Sequence, residues 1–170
     1  YKAGFVELRF KELIFVEKSA NKITISVFAK PEEDAAAIEH CLVDFTGIPE
    51  INENETEKGS LFVRKTNATG FNERKILVME IILEKNRHMQ KFLKKLSSML
   101  TDEQKELIIR QAESRLDNEF NFFLRYDKEK LLSGERWITD HGNCFHVKIN
   151  IACFPRKREV ALEKVRQIFK

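Results

Sequence analysis

Apolar residues alternate with polar ones at two-residue spacing in some stretches of this chain and recur at three- and four-residue spacing in others. Strands and helices can therefore be separated from pattern alone. The richest stretch is 115–134, RLDNEFNFFLRYDKEKLLSG. With residues 120–126 extended, Phe120, Phe122, Leu124 and Tyr126 share one face, and Asn121, Phe123 and Arg125 share the other. One face builds core; the other is free to meet a partner. Asp127 then has helix-opening chemistry, residues 128–132 supply one or two turns, and Gly134 suits a C-terminal stop.

Elsewhere, residues 5–16 alternate as Val6, Leu8 and Phe10 and then shift parity to Leu13 and Phe15, which predicts a strand bent near Lys11 and Glu12. Residues 22–29 set Ile23, Ile25 and Val27 against Thr24 and Ser26, so these two segments are expected to form a hairpin. Pro31 with Glu32, Glu33 and Asp34 opens a helix buried through Ala35, Ile38, Leu42 and Phe45 and ended by Gly47 and Pro49. Strands are expected at 61–65 and 76–83; the second is apolar on both faces except at Glu80, which predicts a central position. Asn86 is the expected cap of a helix with Met89, Phe92, Leu93, Leu96, Met99 and Leu100 as its stripe. Thr101 and Gln104 form a capping box for the next helix, which buries Leu107, Ile108, Ala112 and Leu116.

A short strand at 136–139 and a turn at 140–143 lead into a strand with Phe145, Val147, Ile149, Ile151 and Cys153 inward and His146, Lys148 and Asn150 outward. Pro155 opens the last helix, which buries Ala161, Val165, Ile168 and Phe169. The order ββ-α-ββ-αα-β-β-β-α, with a short helix near Lys128, gives an α+β fold: a mostly antiparallel sheet with helices packed on it.

Composition narrows this picture. A chain of 170 residues that is 42% hydrophobic fits one domain, 1–170, with 1–21 as an N-terminal strand and turn. No apolar run approaches the ~20 residues of a bilayer span, no signal-peptide pattern opens the chain, and Tyr1 stands where Met would, so the true start is expected to lie upstream. The expectation is a soluble, cytoplasmic protein away from membranes. Cys41, Cys144 and Cys153 form no CxxC pair and read as buried thiols.

The net charge of +3 is small but unevenly placed. Glu50, Glu53, Glu55 and Glu57 make an acidic loop, and Asp102, Glu103, Glu106, Glu113, Asp117 and Glu119 an acidic helix. Lys85, Arg87, Lys91, Lys94 and Lys95 make a basic helix to which His88 adds a surface residue, and Arg156, Lys157, Arg158, Lys164, Arg166 and Lys170 a second basic cluster. His40 reads as a boundary residue.

Three chemistries compete. RNA binding needs cations for phosphates and exposed rings for unpaired bases. Arg125, Lys128, Lys130, Arg136 and Lys148 are the candidate cations, with Phe123 and then Trp137 as the rings. A solvated surface explains the same charges on its own, and no RRM, KH or zinc-finger signature is present. A metal-dependent hydrolase would use Asp140, His141, Cys144 and His146, but no second ligand pair stands at a usual spacing, and the acidic triplet at 32–34 is explained by helix stabilisation. No GxGxxG or GxxxxGK pattern occurs, so neither a metal nor a cofactor is expected. The third chemistry is an assembly subunit whose acidic and basic faces dock onto a protein partner or a second copy, forming a homodimer, without direct RNA contact.

Arg115, Leu116 and Asp117, then 121–125, Asp127, Lys128 and Gly134 with Glu135, resemble the signature of an archaeal family of predicted exosome subunits or RNA-binding proteins, whose members look like a large-subunit ribosomal protein in fold. The alternating strand and acidic helix start at 23–34 and the closing strand and helix at 147–169 extend the resemblance over 22–170. Glu129 and Lys130 depart from it, since Gln and small residues are expected after Lys128. The resemblance carries no catalytic residue. It implies a noncatalytic RNA-binding protein, an accessory factor of RNA processing or degradation, with RNA and exosome- or ribosome-associated proteins as partners.

Overall fold

Alternation decides which side of the sheet is dry. The computed structural model describes residues 18–52 and 60–170. It contains five strands, β1 (Ala20–Ala29), β2 (Arg64–Thr69), β3 (Lys75–Leu83), β4 (Asn121–Asp127) and β5 (Cys144–Ile151), in one antiparallel sheet of order β2-β3-β1-β5-β4. Ile23, Ile25 and Val27 of β1 lie in register with Leu83, Ile81 and Met79 of β3, and Ile23 and Ile25 also with Ile149 and Val147 of β5. All of these are buried, as are Phe122, Leu124 and Tyr126 of β4.

Six helices supply the other half of this core: α1 (Ala35–Thr46), α2 (Asn86–Ser98), α3 (Asp102–Arg110), α4 (Ala112–Arg115), α5 (Lys128–Leu132) and α6 (Arg158–Ile168). Phe45 of α1 is the meeting point, edge-on to Phe92 at 5.7 Å and to Tyr126 at 5.1 Å. Ala161, Val165 and Phe169 close the core beside Phe122. Burying each such side chain contributes roughly 1.5–3 kcal/mol, which offsets the entropy of ordering the chain. The result is the α+β architecture expected from the pattern. No helix among the described residues is long and apolar enough to cross a membrane.

Local chemistry places the element ends. Asp34 caps α1 by accepting from Ala37 N–H, and Gly47 ends it at φ 65°. Thr101 and Gln104 form the expected capping box of α3. Asp127 caps α5, and after it Glu135 N–H donates to Lys130 O with Gly134 at φ 88°.

Several expectations shift. The strand anticipated at 61–65 lies at Arg64–Thr69, an edge strand exposed on both faces whose sequence, RKTNAT, has no apolar alternation to read. β3 is an interior strand as expected, paired with β2 on one side and β1 on the other, and β1 holds the middle position of the five. Lys85 rather than Asn86 is the N-cap of α2, and Asn86 Oδ1 is buried without a partner. Residues 136–139 make only a bridge between Ile138 and Tyr126. Pro155 precedes α6 by a turn, after a cis Phe154–Pro155 bond. The strand anticipated at 5–16, and so its hairpin with β1, lies outside the described residues.

Candidate nucleic-acid interface

The helices bury their apolar residues in the core on one side of the sheet, and among the described residues only the α3–α4 corner, at the β4 edge, borders the other side. On that uncovered face the strand registers build rows across β1, β5 and β4. Lys22, Asn150 and Asn121 form one row; Thr24, Lys148 and Phe123 the next; Ser26, His146 and Arg125 the third. Neighbours in such rows have Cβ atoms about 4.5–5.5 Å apart, so these side chains act as one surface.

Its relief is shallow. Lys22, Thr24, Asn121, Lys148 and Asn150 line a depression of about 250 Å³, and Ser26, Phe28, Arg125, Gly142, Cys144 and His146 line another of about 390 Å³. Phe123 reaches from the second row towards the third, its ring centroid 5.5 Å from that of His146. Phe120, expected in the core row, precedes β4 at φ 63° and is half-buried against the edge of the core, with the Arg156 guanidinium 4.9 Å from its ring centroid. The inward row therefore starts at Phe122.

Cations and acids both border this face: Asp117 lies close enough to Lys148 for the two charges to attract, and Glu80 of β3 stands in register with Ser26. Lys22, Arg125 and Lys148 are exposed, and Arg125 Nη1 donates to the Asp140 carbonyl at 3.0 Å. The acid of the same strand end, Asp127, is occupied: it caps α5 and its Oδ2 lies 3.0 Å from His141 Nε2. Burial pulls the His146 pKa below its ordinary value, and the nearby Arg125 and Lys148 charges add to this, so its ring is neutral at pH 7. Burial pushes the Cys144 thiol up, which suppresses the thiolate a nucleophile would need. A chain of amides braces the floor: Asn21 Nδ2 donates to Asn150 Oδ1, Asn150 Nδ2 to Asn121 Oδ1, and Asn121 Nδ2 to Asp117 Oδ2. Burial raises the Asp117 pKa, but the hydrogen bonds from Asn121 and from Glu119 N–H outweigh it and hold that carboxylate below its ordinary value.

The seven residues singled out in the sequence divide three ways. Phe123, Arg125 and Lys148 come together, with Phe123 and Lys148 directly paired across β4 and β5. Lys130, Arg136 and Trp137 form a second group around α5: the Lys130 ammonium lies 5.1 Å from the Trp137 ring centroid, Trp137 Nε1 donates to Glu135, and Arg136 lines a cleft of about 420 Å³ between α1, α2 and α5. Lys128 is a correction. It is 2% exposed, and its ammonium donates to Phe28 O at 2.8 Å and Glu33 at 2.9 Å, so it has no donor at the surface to offer a phosphate.

Three of the four residues weighed as metal ligands have other neighbours. Asp140 faces Arg115, His141 faces Asp127, and His146 lies against Phe123. Among the described residues no three His, Cys, Asp or Glu side chains gather as a metal would require. His88 is buried rather than on the basic surface, and His40 is exposed, 3.3 Å from Asp44. The two oppositely charged segments partly satisfy each other, since Arg158 of α6 reaches Glu113.

Lys22, Phe28, His146 and Arg115 belong to this surface and were not read as binding residues. The β1 alternation that buried Ile23, Ile25 and Val27 already implied Lys22 and Phe28 on the opposite face. Arg115 had no such periodic signal and stood only at the head of the family signature; it is carried to the β4 edge by Leu116, which bridges Phe122.

A family model described as RNA binding matches residues 22–151 of the chain. RNA-binding protein PAB1135 of Pyrococcus abyssi is 32% identical over 92 residues, 54% of this chain and 60% of that protein, so the match spans less than two thirds of the relative. Among solved structures, protein AF2318 from Archaeoglobus fulgidus superposes with a TM-score of 0.73 at 24% identity, covering 88% of this chain and 99% of that one. Mth689, a DUF54 protein from Methanothermobacter thermautotrophicus, gives 0.69 at 26% identity, covering 89% and 99%.

Proposed function

Because the chain belongs to the RNA-binding family whose model spans residues 22–151, we propose that it binds single-stranded RNA across the uncovered face of β1, β5 and β4. Lys22, Arg125 and Lys148 contact phosphates, and an unpaired base stacks on Phe123 beside the neutral His146 ring. Every base has a π-face and every nucleotide a phosphate, so such a surface is tolerant of sequence and sensitive to salt. The observation that carries this reading is the pairing of Phe123 with Lys148 on a sheet face that no described helix covers. Lys130, Arg136 and Trp137 serve as an outer contact for RNA that continues past the β4 edge.

The protein acts without catalysis, as an accessory factor of RNA processing or degradation alongside exosome- or ribosome-associated proteins. The elevated Cys144 thiol and the dispersed His141 and His146 favour that reading over hydrolysis. Titration of labelled single-stranded RNA tests the site. Loss of one base stack, typically ~1–3 kcal/mol, makes Phe123→Ala weaken binding by roughly 5- to 150-fold, with Trp137→Ala the smaller effect. Equal affinity of Phe123→Ala and wild type would remove the sheet face from the interface.

A further inference from the structure

Beyond the outer edge of β4, Gln111, Ser114 and Arg115 of the α3–α4 corner, Phe123 and Arg125 of the sheet face, and Asp140 line a pocket of about 270 Å³. Arg115 is built into its wall. The side chain is 10% exposed, and Nε and Nη2 both donate to Gln111 Oε1, at 3.1 and 2.6 Å. That leaves Nη1 unused by the brace and the fork held in one orientation. Nη2 also reaches Asp140 Oδ1, but at 3.4 Å, the long limit of a hydrogen bond, and the Asp140 side chain is 81% exposed. Arg125 meets the same residue through its carbonyl. Two guanidinium groups thus converge on Asp140, whose carboxylate is the only acid among the residues lining the pocket and is weakly held.

We propose that this pocket is a phosphate subsite of the RNA interface, in which a backbone phosphate takes the place of the Asp140 carboxylate on Arg115 while its nucleotide lies against Phe123. The inference rests on RNA binding by the sheet face. A guanidinium presents its donors in a plane that matches two phosphate oxygens, and Arg115 is already oriented, so little side-chain freedom is given up when the anion arrives. The aromatic wall is what directs the site to a nucleotide phosphate rather than to any anion: charge and π-face sit within one pocket.

Fluorescence anisotropy with a labelled single-stranded oligoribonucleotide, on the wild type, Arg115→Gln, Asp140→Asn and the double variant, tests this. Arg115→Gln binds roughly tenfold more weakly, and its log affinity falls less steeply with log salt, by about 0.7 for the one phosphate that is no longer neutralised. Asp140→Asn binds more tightly than wild type, and that gain disappears when Arg115 is already Gln. Wild-type binding with unchanged affinity in both single variants overturns the subsite and leaves the sheet face as the interface. A gain from Asp140→Asn that persists in the Arg115→Gln background overturns it too, because the carboxylate would then act through general repulsion. Weaker binding by Asp140→Asn assigns both residues a structural part and refutes the exchange. If Arg115→Gln does not fold, Arg115→Lys takes its place, keeping the charge but losing the planar fork: a gain from Asp140→Asn that shrinks in that background supports the subsite, and a gain that persists in full, or unchanged or weaker binding by Asp140→Asn, overturns it. No binding by the wild type removes the RNA reading and the subsite with it.

Discussion

Lys128 shows how completely a side chain's surroundings set what its charge does. Its ammonium lies between the Phe28 carbonyl at the end of β1 and the Glu33 carboxylate before α1, tying the start of α5 to elements about a hundred residues earlier. Lysine is by default a surface residue, so its place in the chain put it naturally beside Arg125 and Lys130. Nothing local announces the returning β1 end. Lys128→Ala leaves a carboxylate without its cation, and breaking buried pairs costs ~3–5 kcal/mol; about 3 is expected here, because Glu33 is 25% exposed and partly rehydrates. Burial raises the Glu33 pKa, but the hydrogen bonds and charges of Lys128 and Lys30 outweigh it and hold the group below its ordinary 4.5. A carboxyl whose folded value is depressed contributes stability above its unfolded pKa and loses it as pH falls through the folded value. Urea unfolding therefore shows a gap between wild type and Lys128→Ala that is full at pH 7 and narrows in acid below the ordinary carboxylate range. A gap independent of pH would mean that packing of the lysine stem, not the ion pair, sets the cost.

At the scale of elements, Arg158 ties the start of α6 to α4. Arg158 Nη2 donates to the carbonyls of Glu113 at 2.6 Å and Leu116 at 2.9 Å, filling acceptors that the short α4 leaves open, and Nε reaches the Glu113 carboxylate at 3.3 Å. Charge-assisted bonds to otherwise open carbonyls make Arg158→Ala cost ~2 kcal/mol. The urea midpoint should fall with the slope unchanged, and an unmoved midpoint would show that water replaces the guanidinium at no cost. Elements whose start and stop chemistry is local were legible: the Thr101–Gln104 box, the Asp127 cap, the left-handed Gly134 and the parity of β4 and β5. Two kinds of feature were not. β2 has no buried face to imprint a pattern, and the Leu116–Phe122 bridge joins a helix end to a strand through geometry that spacing does not encode.

For the whole molecule, the consequential fact is that one sheet has two unlike faces. The helices take the apolar face, and the other collects cations from distant segments: Lys22 from β1, Arg125 from β4, Lys148 from β5. A net charge of only +3 does not describe this face, because Lys22, Arg125 and Lys148 are brought onto it from three separate strands. The convergence of Phe123, Arg125 and Lys148 could be anticipated from strand parity, whereas the separation of Lys130, Arg136 and Trp137 required knowing where α5 leaves the sheet.

RNA binding by the open sheet face is best checked through the salt dependence of single-stranded RNA affinity, compared between the wild type and Lys22→Ala combined with Arg125→Ala and Lys148→Ala. With about 0.7 of slope per phosphate neutralised on a single strand, removing these three cations should flatten the plot of log affinity against log salt by about 2 and weaken binding to unrelated sequences alike. The same affinity and the same slope in both proteins would mean that RNA does not lie on this face.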